Sequence, residues 1–70
     1  MIDYGSLTRS ELADMIDERL IGRNAERNRA VLKRRLIDGI IYERLAEEFD
    51  LSVRQVKNIV YKGQAKLFHE

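Results

Sequence analysis

The sequence predicts a small all-α domain of four helices, with no β-sheet. Apolar residues recur every three or four positions through most of the chain, which is the spacing of one side of an α-helix. Segments 8–11 and 52–55 both have the Ser/Thr-x-x-Glu/Gln pattern that opens helices. The chain has no proline and only four glycines, so few residues interrupt a helix. Its 70 residues therefore indicate a single domain, 1–70, with a thin hydrophobic core.

The first helix is predicted within residues 1–23. Thr8 is suited to cap its start, with Glu11 as the capping-box partner and Leu7 packing on Leu12. Gly22 allows a C-terminal cap. The apolar side consists of Leu12, Met15, Ile16 and Leu20, and the opposite side carries Glu11, Asp14, Asp17 and Glu18. Because phosphate repels these acids, we expect them to point away from any nucleic acid, while the apolar side covers the second helix or a second subunit.

A central helix is predicted over residues 24–39. Asn24 is a candidate N-cap and Gly39 marks the end. Apolar residues lie on more than one side of this helix: Ala25, Leu32 and Leu36 on one, Ala30 and Ile37 on another. Two apolar sides indicate a helix that is packed from several directions.

Residues 42–68 have the pattern of a helix-turn-helix. The first helix presents Leu45, Ala46 and Phe49, a turn follows at Asp50 and Leu51, and Ser52 can cap the second helix. At 100° per residue, one side of the second helix carries Val56, Ile59, Val60, Gly63 and Leu67, and the opposite side carries Arg54, Lys57, Asn58 and Tyr61. Such a helix can pack on one side and present hydrogen-bond donors on the other.

These donors suit the edges of DNA bases. Arginine pairs with guanine O6 and N7, asparagine pairs with adenine N6 and N7, and lysine reaches guanine or phosphate. The candidate base-contacting residues are Arg54, Gln55, Lys57, Asn58 and Tyr61. Each has an ordinary alternative, since Gln55 could serve the Ser52 capping box and the charged residues could be solvated surface. Tyr42 is expected in the core rather than on DNA.

The stretch YERLAEEFDLSVRQVKNIVYKGQAKLF, residues 42–68, resembles the helix-turn-helix of bacterial sigma-factor region 4 and of response-regulator output domains. Ala46 matches the small residue of the first helix, and Val56 matches the apolar anchor of the second. Asp50 stands at the turn position usually held by Gly, and it can adopt a left-handed conformation. Ile41 replaces the usual Ser or Thr cap. The preceding helix extends the resemblance back to residue 27, and the first helix lies outside it.

The resemblance implies a sequence-specific, double-stranded DNA-binding transcription regulator of bacterial or phage type. It would act by occupying a promoter or operator, with a homodimer or RNA polymerase supplying further contacts. The alternative is a sigma-like interaction module that binds RNA polymerase or a sigma factor with little DNA specificity of its own. An RNA-binding protein is a weaker alternative, because the chain lacks an aromatic stacking platform for single strands.

Charge alternates along the chain although the net charge is only +1. Segments 1–22, 23–37, 38–51 and 52–70 carry net charges of −3, +5, −4 and +3. The two basic segments can form one positive side on a nearly neutral protein. The candidate phosphate contacts are Ser52, Arg29, Lys33, Arg34, Arg35 and Lys62.

Catalysis, metals, cofactors and membranes find no support in the sequence. The chain has no cysteine and a single histidine, His69, so it offers no nucleophile and base pair and no thiolate metal site. No apolar run reaches the length of a membrane span and no signal-peptide pattern opens the chain, so we expect a cytoplasmic protein that is not an enzyme. Phe68 is expected to be exposed in a monomer, which favours a homodimer.

Overall fold

The structure, a computed structural model, describes residues 7–68 and contains four α-helices with no β-strand in that range. Helix α1 spans Arg9–Arg19, α2 spans Ala25–Leu32, α3 spans Tyr42–Phe49 and α4 spans Val53–Phe68. A π-helical turn, Lys33–Ile37, continues α2 without a break. The predicted all-α class is confirmed. His69 lies outside the described residues.

Helix α1 begins at the predicted capping box and ends earlier than predicted. Thr8 Oγ1 accepts a hydrogen bond from the Glu11 N–H at 3.1 Å, and Glu11 Oε1 accepts one from the Thr8 N–H, also at 3.1 Å. The helix ends at Arg19, where Leu20 becomes extended. Gly22 has a φ of 102° and lies in the linker beyond this end, so its prediction as the cap of α1 is wrong.

The central helix begins after Asn24, as predicted, but it lacks the side-chain cap and ends in a π-helical turn. Asn24 precedes α2 in a left-handed conformation and makes no side-chain cap. After Leu32 the backbone widens, and the Asp38 N–H donates to the Lys33 carbonyl at 3.3 Å, a π-type bond. Gly39, with a φ of 70°, follows this turn. The segment is therefore helical to Ile37, but its last five residues do not follow the α-helical period.

Helices α3 and α4 are joined by a three-residue turn, 50–52, as the helix-turn-helix pattern predicts. Asp50 has a φ of 55°, the left-handed conformation expected for this position. The Leu51 N–H donates to the Ala46 carbonyl at 2.9 Å, which satisfies a carbonyl at the end of α3. At the other end of α3, Ile41 provides no side-chain cap, also as expected.

All four helices contribute to one hydrophobic core. Its buried members are Leu12, Ile16, Leu20, Val31, Leu32, Leu45, Ala46, Val56, Val60 and Leu67. The apolar side of α1 is thus buried within its own chain, against the π-helical turn, α2 and α4. Val31 is fully buried although the predicted apolar sides of the central helix omit it.

Phe68 and Tyr42 are both half-buried against this core. Tyr42 agrees with its prediction, whereas the expected exposure of Phe68 in a monomer is wrong, since Phe68 packs against the core at the end of α4.

Helices α2 and α4 cross at Gly63. This glycine is buried, and a Cβ placed on it would overlap the Leu32 side chain. The missing side chain therefore permits the close crossing that fixes α4 against the rest of the domain. None of the helices in the described range has the length and apolar composition required to cross a bilayer.

Candidate nucleic-acid interface

The outward side of α4 carries a row of polar residues with no internal partner. Arg54, Asn58 and Tyr61 are exposed, and within residues 7–68 their side chains make no hydrogen bond or ion pair. Tyr61 is 56% exposed, which is unusual for an aromatic side chain. On the opposite side, Val56 and Val60 are essentially fully buried. The helix is therefore anchored by its apolar side and presents this row, which we call the outward row, to solvent.

Gln55 completes the Ser52 capping box, which is the alternative to base contact that the sequence indicates. Its Oε1 accepts a hydrogen bond from the Ser52 N–H at 2.9 Å, and Ser52 Oγ accepts one from the Gln55 N–H at 3.1 Å. This capping box satisfies donors at the start of α4 and fixes the direction of the helix after the turn. The amide oxygen of Gln55 and the oxygen of Ser52 thus both accept from backbone groups, while the Gln55 NH₂ and the Ser52 O–H make no hydrogen bond within residues 7–68.

Lys57 lies on the flank of α4 that faces α3. Its ammonium is 5.7 Å from the centroid of the Tyr42 ring, and the Arg35 guanidinium is 4.3 Å from the same centroid. Both are within range of cation–π attraction, and Arg35 is the closer. Lys57 is otherwise exposed, so its charge is available to a partner that approaches from solvent.

Two of the arginines predicted to contact phosphate are bound to backbone carbonyls instead. Arg29 Nε donates to the Leu20 carbonyl at 2.6 Å, just beyond the end of α1. Arg35 Nη1 donates to the Ile40 carbonyl at 3.0 Å and so holds the linker before α3. Arg19, at the end of α1, does the same for the Leu67 carbonyl of α4 at 2.6 Å. These three side chains satisfy carbonyls that would otherwise lack partners at helix ends or in a linker.

The other two predicted phosphate contacts of the central helix, Lys33 and Arg34, form ion pairs. Lys33 Nζ lies 2.8 Å from Asp17 Oδ1 on α1. Arg34 forms a two-pronged contact with Glu48 on α3, with Nε 3.0 Å from Oε1 and Nη2 3.1 Å from Oε2, and also binds Asp38. The hydrogen bonds to Glu48 and then Asp38 raise the pKa of Arg34 above its ordinary value. Both residues therefore tie neighbouring elements together.

A crevice between α2 and α4 is lined by basic residues that have no acidic partner within residues 7–68. It has a volume of about 230 Å³, and its polar lining is Arg27, Asn28, Asn58, Lys62 and Lys66. No carboxylate lines it. Only Lys62 and Asn58 were among the candidates that the sequence pattern indicates. Arg27 and Lys66 were missed because α2 and α4 come together only in the folded chain, although their positive charge was visible in the segment balance.

Most of the acidic residues lie on other parts of the surface, although Glu26 is exposed in the first turn of α2 beside Arg27. On α1, Glu11, Asp14, Asp17 and Glu18 are all exposed, as predicted. On α3 the exposed side chains include Glu43, Glu47 and Glu48, next to Arg34 and Arg44. The unpaired positive charge is thus concentrated on α4 and the first half of α2. This separation gives a nearly neutral molecule one basic side.

Comparison of the chain with protein-family models, with curated proteins and with solved structures found no match. The resemblance of residues 27–68 to sigma-factor region 4 therefore stays a prediction.

Proposed function

We propose that this protein is a sequence-specific regulator that binds double-stranded DNA with α4 in the major groove. The observation that carries the proposal is the outward row of Arg54, Asn58 and Tyr61, exposed and without internal partners on a helix whose other side is buried. The major groove is wide enough for an α-helix, and the pattern of donors and acceptors there differs for every base pair.

The chemistry of the row suits base edges. Arg54 can donate two hydrogen bonds to guanine, and Asn58 can pair with adenine through its carboxamide. Lys57 and Tyr61 lie beside them and can reach guanine, phosphate or a neighbouring base edge. The capping box at Ser52 and the packing of Val56 hold α4 before DNA arrives. This preorganisation reduces the conformational entropy lost on binding.

Among the predicted phosphate contacts, Lys62 is the best placed. It is exposed on the flank of the outward row and has no carboxylate partner among the described residues. Arg29, Lys33, Arg34 and Arg35 each have a carbonyl or carboxylate partner, and a contact from these side chains to phosphate would compete with it. Ser52 is exposed, and its oxygen accepts from the Gln55 N–H, so its O–H can still donate to a phosphate while the capping box stays closed.

The regulator would act by occupancy, without chemistry or a cofactor. One helix makes few base contacts, so useful affinity requires a second half-site through a homodimer, or RNA polymerase as a partner. Because the apolar side of α1 is buried within its own chain, a dimer would have to use another surface. The alternative is an interaction module that binds RNA polymerase or a sigma factor. The acidic, exposed side of α3 would then be the contact surface.

Binding of duplex DNA by matched variants tests this proposal. Arg54→Ala and Asn58→Ala should each weaken binding to a selected duplex by about 1–3 kcal/mol and relax preference at one base pair. Arg44→Ala is the control, since it removes an exposed arginine from α3 and should leave preference unchanged. Equal, sequence-independent affinity for all four proteins would favour the interaction module.

A further inference from the structure

We propose that the crevice between α2 and α4 is a phosphate-binding site. If the proposed function holds, its occupant is a backbone phosphate of the DNA strand that passes beside α4. The site is formed by Arg27 from α2 and by Lys62 and Lys66 from α4, with the carboxamides of Asn28 and Asn58. Neither the sequence pattern nor the resemblance assigns a role to Arg27 or Lys66.

The composition of the lining supports an anionic ligand. Three cationic side chains line one crevice without a carboxylate to balance them. Within residues 7–68 the Arg27 guanidinium donates hydrogen bonds only to Asn28 Oδ1, at 3.3 Å, and forms no ion pair with a carboxylate. Like charges held together repel each other, and an anion between them removes that repulsion.

The contrast within the central helix strengthens this interpretation. Arg29, Lys33, Arg34 and Arg35 all bind carbonyls or carboxylates of the chain itself. Arg27, two residues before Arg29, has no such partner in the described part of the chain. A lysine such as Lys66 in the last turn of a helix has a structural explanation in the helix dipole, but that does not account for Lys62 or Arg27.

The shape of the crevice also suits a phosphate group. Its apolar part is Leu20, Ile59 and the backbone at Gly63. The volume of about 230 Å³ is many times the roughly 10–15 Å³ that a cavity needs to hold one water molecule. A phosphate with part of its sugar can therefore enter, while the apolar wall strengthens its attraction to the three cations.

The crevice adjoins the outward row of α4. Asn58 belongs to both. At 100° per residue, Lys62 lies about 40° and Lys66 about 80° round the helix from Asn58, in the direction of α2. A helix in the major groove has a sugar-phosphate strand along each flank. The crevice lies on the α2 flank, where one of those strands would pass.

Two measurements on the full chain test the site. The first is titration of ¹⁵N-labelled protein with pyrophosphate at constant ionic strength. We expect saturable shifts of the Asn28 and Asn58 side-chain amides and of the Gly63 N–H. These should be lost in Arg27→Gln/Lys66→Gln and kept in Arg9→Gln/Arg44→Gln, a control that removes two exposed arginines elsewhere. Shifts that do not saturate, or that are the same in both variants, would overturn the site.

The second measurement is the salt dependence of duplex binding. Arg27→Gln/Lys66→Gln should weaken binding to all sequences alike and reduce the slope of log K against log salt by about 1 to 2, while base preference is kept. If the wild-type protein binds duplex and the variant has the same salt slope, the inference is overturned and the proposed function stands. Saturable pyrophosphate binding by a protein that ignores duplex would support the site with a free phosphate compound as its ligand and refute the DNA function.

Discussion

Gly63 of α4 lies against the side chain of Leu32 of α2, so close that a Cβ on the glycine would overlap Cδ1 and touch Cγ and Cδ2. Leu32 is itself fully buried and cannot turn outward. This contact sets the separation of the two helices that line the basic crevice. The position of α4, and with it the direction of the outward row, depends on the absence of one methyl group.

Gly63→Ala should therefore lower the free energy of unfolding, although alanine is the better helix former. The gain in helix propensity is about 1 kcal/mol, and overpacking a buried site costs about 1–3 kcal/mol. Because three atoms of Leu32 are in the way, we expect a net loss of about 1–2 kcal/mol in urea denaturation. Ala65→Gly, at an exposed position of the same helix, is the control and should cost about 1 kcal/mol from propensity alone. A more stable Gly63→Ala protein would mean that the crossing is looser than described.

Arg27 and Arg29 should give opposite phenotypes although they are two residues apart. Arg29→Ala removes the partner of the Leu20 carbonyl beyond the end of α1 and should lower the free energy of unfolding by about 1–2 kcal/mol. Arg27→Ala should change it by less than about 0.5 kcal/mol, the usual effect of a surface substitution. Thermal and urea unfolding followed by circular dichroism measures both. Duplex affinity should show the reverse order, with the larger loss for Arg27→Ala. If both variants are equally stable and Arg29→Ala loses more affinity, Arg29 rather than Arg27 contacts phosphate, as the sequence predicts.

The turn between α3 and α4 provides a test of backbone conformation. Asp50 has a φ of 55°, where an L-residue is strained and glycine is not. Asp50→Gly should leave the protein equally stable or stabilise it by up to about 1 kcal/mol, and Asp50→Ala should destabilise it by about 1 kcal/mol. The order Gly, Asp, Ala in urea midpoint is the expected result. Alanine at least as stable as aspartate would contradict the left-handed turn.

The contact between Arg34 and Glu48 joins the π-helical turn to α3. Single replacement of either residue by glutamine should destabilise the domain, and the double variant should lose less than the sum of the two, which a double-mutant cycle reveals. Because its hydrogen bonds to Glu48 and Asp38 raise the pKa of Arg34 above its ordinary value, the stabilisation from its charge is complete below the unfolded pKa and is lost only at more alkaline pH. Titration of Arg34 therefore makes no change to stability near neutral pH. Additive losses would show that the two side chains act independently.

The parts of this fold that the sequence predicts are those determined by local chemistry. The capping box of Thr8 and Glu11, the box of Ser52 and Gln55, and the left-handed Asp50 all depend on residues within four positions of each other. The apolar sides of α1 and α4 are equally local, because helical periodicity alone defines them.

The parts that could not be predicted depend on which helices meet. The carbonyl partners of Arg29 and Arg35 lie nine and five residues away in sequence, and Glu48 lies fourteen from Arg34. A basic segment looks the same in sequence whether its charges are bound internally or face a partner. The π-helical turn, Lys33–Ile37, is likewise absent from a helical pattern that assumes a constant 100° per residue.

Selection of bound sites from a random duplex library is the most direct test of the proposed function. The wild-type protein should enrich a defined site. Asn58→Ala should enrich the same site but lose preference at one base pair, and the lost discrimination should be about 1–3 kcal/mol, the usual contribution of a bidentate contact. A two-fold symmetric site would indicate a homodimer, and a single site a partner such as RNA polymerase. Failure of the wild-type protein to enrich any sequence, at a salt concentration where it is folded and binds duplex, would contradict base recognition by α4.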